Sequence, residues 1–446
     1  MNKVIIIGAG LAGSEAALQL AKRGIKVDLY EMRPDKTTGA HVGSDCAEFV
    51  CSNSLGSADI TNASGLLKKE MEILGGELIK IALENAVPAG NALAIAREDF
   101  SKAVTKRIEE NENIQLIREE ITEIPDGNVI IASGPLTSDK LAERIKEFTK
   151  SEHLHFFDAI APIVELDSIN FDKAFWASRY DKGEASYINC PMNKDEYEVF
   201  YNTLINSPRI EQHDIDKKSK FFESCLPIEV LASRGVDTLR FGPMKPVGLI
   251  DKRTGIENYA VVQLRQDNSA KTLFNLVGFQ TNLKWGAQKE LLQTIPGLEN
   301  VNIVRYGVMH RNTFINSPQV LNSTLEARER EGLFFAGQLT GTEGYTESIA
   351  TGMLAGINMA RRLAGEALLS LPKESILGAL TYYISNPEHT QFQPINSNWA
   401  LVPPIELPKK ERKNKKLKNE LLAKRAIEII EEFQLRQNLH PDHVKN

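Results

Sequence analysis

The pattern of apolar and polar positions begins with a short strand, a glycine-rich turn and a helix. Residues Val4–Ile7 are all apolar, as in a strand buried inside a parallel sheet. The turn spans residues 8–13 and reads GAGLAG. The residues after it predict a helix over Ser14–Arg23 and a second strand over Lys26–Tyr30. This order predicts a βαβ unit of a doubly wound sheet.

The glycine-rich turn matches the dinucleotide-binding fingerprint. Gly8 permits the tight turn, Gly10 lets the backbone approach a pyrophosphate, and Gly13 lets the helix pack on the strand. The predicted phosphate-binding residues are Gly8, Ala9, Gly10, Leu11, Ala12 and Gly13. Glu31 follows Gly13 by eighteen residues, where a carboxylate accepts hydrogen bonds from a ribose diol. An acid there favours FAD or NAD over NADP.

A second glycine-rich stretch near the other end of the chain favours FAD. It predicts a strand over Leu333–Ala336, a turn containing Gly337, Gln338 and Gly344, and a helix from about Ser348. The stretch resembles the late strand and helix that approach the ribityl chain and the isoalloxazine in flavoproteins. The two parts of the FAD site are far apart in sequence, so the residues between them are predicted to form an insertion.

The predicted fold class is α/β. Residues 1–151 and 300–365 are expected to form a doubly wound, Rossmann-like FAD-binding domain of the glutathione-reductase type. Short β-rich runs predict an inserted α+β domain over residues 152–299, and residues 366–446 are expected to form a helical, basic C-terminal segment. Nine Lys or Arg residues and two Glu residues lie within 409–425, which fits either a solvated helix face or an RNA contact.

Composition limits the remaining function classes. The 53 basic and 59 acidic residues give a net charge of −6, which disfavours a protein that coats nucleic acid with its whole surface. The N-terminus has no secretory pattern, and no apolar run reaches the roughly 18 residues that a membrane helix needs. Only 4 cysteines occur in 446 residues. We therefore expect a cytoplasmic protein without membrane association.

The cysteines leave two kinds of chemistry open. A metal site is not expected, because Cys46, Cys51, Cys190 and Cys225 include no C-x-x-C pair and His41 alone completes no ligand set. Cys46 and Cys51 have the spacing of a flavin disulfide reductase. Such enzymes also need a second glycine fingerprint for NAD(P)H, which residues 120–330 lack. A flavin-linked thiol oxidoreductase and a nucleophilic cysteine both remain possible at this point.

Several sequence strings spread over nearly the whole chain point to one family. They include FVCSNSLGSADITNASGLLKKEM, FFESCLPIEVLASRG, LRFGPMKPVGL, LVGFQTNLKWGAQK, GVMHRNTFINSP and FAGQLTGTEGYTESIATGMLAG. In these strings the chain resembles the folate- and FAD-dependent tRNA uracil-5 methyltransferases. A larger relative that modifies the wobble uridine shares the turn AGQ-x-x-G-T-x-G-Y.

The resemblance implies the formation of 5-methyluridine, expected at position 54 of the tRNA T-loop. Methylenetetrahydrofolate would donate the carbon, reduced flavin the electrons, and NAD(P)H would restore the flavin. By the same resemblance, Cys225 would add to carbon 6 of uracil, and Cys51 would remove the proton from carbon 5 or otherwise act beside the flavin. Gly56 stands where the family favours a basic residue, and some relatives methylate ribosomal RNA, so rRNA is the alternative substrate.

Other positions are candidates for substrate contacts. His310 and Arg311 are suited to a pteridine or a phosphate. Lys245, Lys284 and Trp285 are suited to RNA phosphates or an unstacked base. Arg234 and Arg240 are the cations that would favour a thiolate. Three hypotheses follow: RNA methylation, a thiol oxidoreductase that uses Cys46 and Cys51, and a tRNA-binding assembly factor with structural FAD.

Overall fold

The computed structural model describes residues 3–150, 154–181, 184–210, 220–221, 226–256, 258–389, 392–408, 410–411 and 413–439, with side chains at all of these except 154–158, 220–221 and 310–311. The strands are β1 (Val4–Ile7), β2 (Val27–Glu31), β3 (Ser54–Ser57), β4 (Ala86–Val87), β5 (Ala92–Ile95), β6 (Ile114–Arg118), β7 (Val129–Ile131), β8 (Leu154–Ala159), β9 (Ile163–Glu165), β10 (Phe175–Ala177), β11 (Tyr187–Met192), β12 (Lys220–Phe221), β13 (Ala260–Gln266), β14 (Leu273–Leu276), β15 (Ile303–Arg305), β16 (Met309–Phe314) and β17 (Leu333–Phe335). The α-helices are α1 (Leu11–Ala21), α2 (Ala63–Leu74), α3 (Leu78–Glu84), α4 (Arg97–Glu109), α5 (Asp139–Thr149), α6 (Lys194–Asn206), α7 (Ile228–Ser233), α8 (Trp285–Gln293), α9 (Ser317–Val320), α10 (Tyr345–Leu363), α11 (Ile376–Ser385) and α12 (Lys415–Arg436).

The first sheet has five parallel strands in the order β17-β7-β1-β2-β6. Its central strand β1 pairs with β2 on one side and β7 on the other. The strands are short apolar runs that are buried among helices, which is the pattern of a parallel sheet covered on both faces. The strand order is that of a doubly wound domain, so the predicted α/β fold class is confirmed.

Helices α1 and α10 come from opposite ends of the chain and pack backbone to backbone. A Cβ atom at Gly352 would lie 2.2 Å from the carbonyl oxygen of Ala12, and one at Gly356 would lie 2.8 Å from that of Ala16. Two glycines one helical turn apart therefore allow the approach. The approach brings the N-terminal fingerprint beside the late glycine-rich turn.

Both helices begin earlier than the sequence pattern suggested. Helix α1 starts at Leu11 instead of Ser14, and α10 starts at Tyr345 instead of Ser348. The reason in α1 is that Gly13 lies inside the first turn of the helix, where a Cβ atom would come within 1.8 Å of the Gly8 carbonyl oxygen. The pattern had placed this glycine in the turn before the helix.

The second sheet has six antiparallel strands in the order β10-β11-β13-β14-β9-β15. Helices α6, α7 and α8 share one apolar core with it, which includes Tyr197, Phe200 and Phe274. Strand β15 belongs to this sheet although it follows residue 299, where the sequence placed the end of the insertion. The three domain boundaries remain predictions.

Two small sheets and the C-terminal helices complete the described part. Strands β12, β8 and β16 form one sheet, and β3, β5 and β4 form the other. Helix α12 packs along α2 through Leu422, Ala426 and Ile430, which join the core of the first sheet. A search of the described helices finds none with the length and apolar character that crossing a bilayer requires.

We expect Gly352→Ala to destabilise the fold, because the added methyl group meets the backbone of α1 and not a flexible side chain. The expected loss is about 1–3 kcal/mol in the free energy of unfolding, measured by urea denaturation. The matched control is Gly286→Ala in α8, where a Cβ atom meets nothing within 4 Å. The control is expected to be neutral or slightly stabilising. Equal midpoints for both variants would contradict the proposed close packing.

Candidate dinucleotide and thiol site

A cleft with about 980 Å³ of empty space, including its solvent-open mouth, lies where β1, β2 and β7 end, beside the first turns of α1 and α10. Ligands of doubly wound sheets bind at this edge. The predicted residues that line it are Gly8, Gly10, Leu11, Ala12, Glu31, Gly337 and Gln338. Ala9 and Gly13 lie buried behind this surface, and Gly344 is the residue that precedes α10.

Gly8 and Gly10 of the fingerprint differ in what surrounds them. Gly8 has a φ of +99°, and a Cβ atom there would lie 2.6 Å from the Ala132 carbonyl oxygen. A Cβ atom at Gly10 would meet nothing within 4 Å, so this position faces open space. Gly10 also precedes α1 without a capping side chain, which leaves the first amide groups of the helix for a ligand. The turn therefore fits a pyrophosphate.

Glu31 lies at the end of β2 in a buried network with Arg33. Its Oε2 accepts a hydrogen bond from the backbone N–H of Ala9 at 3.1 Å, and its Oε1 accepts from the Arg33 N–H at 3.1 Å and from Arg33 Nε at 2.9 Å. Burial opposes the charge, but the Arg33 guanidinium and these N–H groups hold the pKa of Glu31 below its usual value. About four acceptor positions exist on a carboxylate, so Oε2 can still accept from a ribose hydroxyl.

The cleft contains residues that the sequence argument did not assign. Ser133, Gly134 and Thr137 follow β7 and line the wall opposite Glu31, with Ser133 Oγ 2.7 Å from Thr137 Oγ1. The available signal was a third apolar strand, Val129–Ile131, that ends in Ala-Ser-Gly. His41 also lines the cleft, and its Nδ1 lies 2.6 Å from Thr38 Oγ1.

Cys51 lies beside the first residue of α10. Its backbone N–H donates a hydrogen bond to Tyr345 Oη at 2.7 Å, and its Sγ lies 2.9 Å from the same oxygen. Burial, together with the neighbouring thiol, raises the pKa of Tyr345 well above its usual value. Tyr345 thus remains a neutral hydroxyl between the thiol and the cleft, which it also lines.

The segment from Phe49 to Asn53, here called the Cys51 loop, is held to the second sheet by Arg97 and by its own Asn53. Arg97 donates to the carbonyl oxygens of Phe49 at 3.1 Å and Cys51 at 3.2 Å, and its Nε donates to Asp267 Oδ1 at 2.9 Å. Asn53 donates to the Gln266 carbonyl oxygen at 2.8 Å. Asp267 and Gln266 lie at the end of β13, so the thiol is fixed from both parts of the molecule.

The other cysteines differ sharply from Cys51. None of the three cysteines within the described ranges, Cys46, Cys51 and Cys190, is in a disulfide. Cys46 is fully buried, and burial raises its pKa to about 11, which is unfavourable for a reactive dithiol. Cys190 is buried in the core of the second sheet. Cys225 lies outside the described residues.

The structure describes some of the weaker candidates. Lys245 is exposed and lines a surface depression with Phe241, whose side chain is 81% exposed, and Arg240. Arg240 pairs with Asp237 at 2.6 Å and lies 3.5 Å above the Tyr259 ring, so its charge is already engaged. Arg234, the other proposed cation, is exposed just after α7.

The remaining candidates lie on α8 and β16. Lys284 precedes α8, and the exposed Trp285 ring stacks on Tyr306 with 5.4 Å between the ring centroids. His310 and Arg311 lie in β16, but their side chains are outside the description.

Gly56 lies in β3, where the pairing with β5 is irregular, and its surroundings disfavour a larger residue. Its φ is +78°, and a Cβ atom would lie 2.6 Å from Ser64 Oγ. A cation is nevertheless present beside this part of β3, because the buried Lys68 donates to the Leu55 carbonyl oxygen at 2.7 Å and to Ser64 Oγ at 2.9 Å. Burial lowers the pKa of Lys68 to about 8.

The parallel sheet, the glycine cradle and the acid at the end of β2 define the doubly wound dinucleotide-binding class of proteins. The family model for Glucose inhibited division protein A matches residues 3–367. The chain belongs to this family and, within it, to the TrmFO group of methylenetetrahydrofolate--tRNA-(uracil-5-)-methyltransferases, as the following relatives show.

Proteins with that name are similar to this chain over almost its full length. The one from Brevibacillus brevis is 56% identical over 96% of this chain and 98% of its own. The one from Bacillus subtilis is 56% identical with the same coverage, and the one from an Exiguobacterium species is 55% identical over 97% of this chain and 99% of its own. A solved structure of Aquifex aeolicus GidA superposes on this chain with a TM-score of 0.67 at 19% sequence identity. The match covers 98% of this chain and 75% of the GidA chain, so the two share the same fold.

We expect Glu31→Gln to weaken the fold most at neutral pH. Because the folded state lowers the pKa of Glu31, the carboxylate stabilises the protein above its unfolded pKa of about 4.3, and this contribution disappears as the pH falls through the folded pKa. The expected loss at pH 7 is about 1–3 kcal/mol, and it should shrink towards pH 3 in urea titrations. Glu109→Gln, an exposed change in α4, is the control and should leave the pH 7 midpoint unchanged. A loss that is as large at pH 3 as at pH 7 would refute this role.

Proposed function

We propose that the chain methylates carbon 5 of a uridine in tRNA, with methylenetetrahydrofolate as carbon donor and FAD as cofactor. The observation that supports this most strongly is 56% identity, over 96% of the chain, to proteins named for that reaction. The cleft supports it independently, since a dinucleotide cradle lies beside a cysteine that contacts Tyr345, one of the residues that line the cleft.

The residues of the cleft fit FAD. The first amides of α1 would hold the pyrophosphate, and Glu31 would bind the adenosine ribose. Gln338 and the start of α10 would contact the other end, where Tyr345 and Cys51 lie. When bound, FAD supplies the electrons that convert the transferred one-carbon unit into a methyl group. NAD(P)H is the proposed external reductant.

The two thiols are proposed to act on the uracil ring. Carbon 5 is a weak nucleophile until a thiolate adds to carbon 6, and Cys225 is the proposed thiolate. After carbon 5 has gained the one-carbon unit, it must lose its proton, and Cys51 is the proposed base that takes it. Loss of the carbon 5 proton expels the Cys225 sulfur and restores the ring double bond.

Several substrate details belong to the same proposal. The target uridine is position 54 of the T-loop, and ribosomal RNA is the alternative target. Lys245 and the exposed Phe241 are suited to a phosphate and an unstacked base, and Lys284 with Trp285 offers a second such pair. Methylation of unmodified tRNA and rRNA fragments by the purified protein distinguishes the two targets. The proposed compartment is the cytoplasm.

We expect Cys225→Ala and Cys51→Ala to abolish formation of 5-methyluridine while the protein retains FAD. The matched control is Cys46→Ala, a buried residue outside the cleft, which should keep most of the activity. Nucleoside analysis of the product RNA and the flavin absorbance measure the two effects. Loss of activity in Cys46→Ala with normal stability would instead favour the thiol oxidoreductase, and full activity in Cys225→Ala would remove the proposed nucleophile.

We expect Arg97→Lys to slow methylation by about 10- to 100-fold, because one lysine nitrogen cannot span the acceptors on Phe49, Cys51 and Asp267 that three separate guanidinium nitrogens reach, and the thiol is displaced. Single-turnover rates at saturating RNA test this. Arg107→Lys, an exposed change in the same helix, is the control. If Arg97→Lys loses its FAD together with its activity, Arg97 supports the whole fold and does not specifically position the thiol.

A further inference from the structure

Helix α12 and the turn before it carry opposite charges in their two halves. Residues 413–425 contain six Lys or Arg residues and one Glu residue. Residues 426–436 contain three Glu residues and one Arg residue. Negative side chains stabilise the N-terminal end of a helix and positive ones the C-terminal end, so this distribution is the reverse of what helix stability favours.

The lysines in the first half face solvent because the apolar side of α12 is covered by α2. Leu422, Ala426 and Ile430 are buried in that contact. Lys413, Lys415 and Lys418 are exposed, and within the described part of the chain they form no ion pair. Lys416 and Lys424 lie 3.8 Å from Glu420 and Glu428, respectively. These three neighbouring cations thus have no counter-charge among the residues that the structure describes.

The cationic half of α12 is hydrogen-bonded to the segment that precedes α2, ten residues after Cys51. The backbone oxygen of Thr61 accepts hydrogen bonds from Asn419 Nδ2 at 3.0 Å and from Trp399 Nε1 at 3.2 Å. Thr61 follows Cys51 by ten residues, so the two are at most about 36 Å apart. An RNA bound at Cys51 therefore has phosphates within reach of α12 along an adjoining stem.

We propose that Lys413, Lys415 and Lys418 bind the phosphate backbone of the substrate RNA outside the reacting loop. This proposal rests on the proposed function. The net charge of −6 repels RNA at long range, so an approaching strand needs a local cationic surface. An anionic membrane is disfavoured as the partner, because the apolar face of α12 is already buried against α2. The contact is independent of sequence, because it is made to phosphates.

The test compares tRNA binding by the full chain and two triple variants over a range of salt concentrations. Lys413→Gln/Lys415→Gln/Lys418→Gln should raise the Kd about tenfold and lower the steepness of log Kd against log salt by about 2–3. The control, Lys102→Gln/Lys106→Gln/Lys194→Gln, removes three exposed lysines that each pair with a glutamate one turn away. An unchanged Kd and slope in the first variant would overturn the proposal.

A second measurement uses the unaltered protein. Acylation of lysine amines, followed by mass spectrometry, should show that tRNA protects Lys413, Lys415 and Lys418 but leaves Lys102, Lys106 and Lys194 reactive. Equal labelling with and without tRNA would overturn the proposal, as would protection by phosphatidylglycerol vesicles and not by tRNA. If the parent protein binds tRNA through these lysines but forms no 5-methyluridine, the proposed function fails and the binding surface stands.

Discussion

The interactions of Arg97 join the two halves of the molecule at the point where the chemistry is proposed to occur. The guanidinium is buried, and such a charge is stable only when its N–H groups are paired. Burial lowers the pKa of Arg97, but the charge and hydrogen bond of Asp267 outweigh this effect, and the net result is a raised pKa. The carbonyl oxygens of Phe49 and Cys51 each accept a hydrogen bond from one of the two Nη groups. Movement of the Cys51 loop alone would leave buried N–H groups of Arg97 without acceptors, and movement of the end of β13 alone would separate the buried charges of Arg97 and Asp267.

The same arrangement explains why the cleft lies at the edge of the parallel sheet, whereas the position of Cys51 beside it also depends on the antiparallel sheet. Glu31 and the α1 amides lie on the parallel sheet. Cys51 touches Tyr345 at the start of α10 and is tied through Arg97 to the antiparallel sheet. The dinucleotide part of the cleft is thus built from local backbone geometry, whereas the thiol end is built from long-range contacts.

This difference decides how much the sequence could predict. Strand β1, the glycine turn and Glu31 lie within about thirty consecutive residues, so their spacing alone indicated the cradle and the doubly wound fold. The pairing of Arg97 with Asp267 spans 170 positions and has no local pattern. Tyr345 belongs to one of the strings shared with the family, but the residues around it in the sequence do not indicate that its hydroxyl contacts Cys51. The start of α1 was misplaced because a glycine is typical of a turn, whereas close packing requires Gly13 inside the helix.

The contact between α1 and α10 also has a consequence for biosynthesis. Helix α1 ends at Ala21 and its partner α10 ends at Leu363, so the ribosome must add more than 300 residues before the two can meet. At about 5–20 residues per second this takes roughly 20 to 70 s. During that interval the face of α1 that contains Ala12 and Ala16 is not covered by α10. The cleft is lined by residues at the starts of both helices, so it is complete only after α10 has been translated. We therefore expect the cofactor to bind late, when most of the polypeptide has been made.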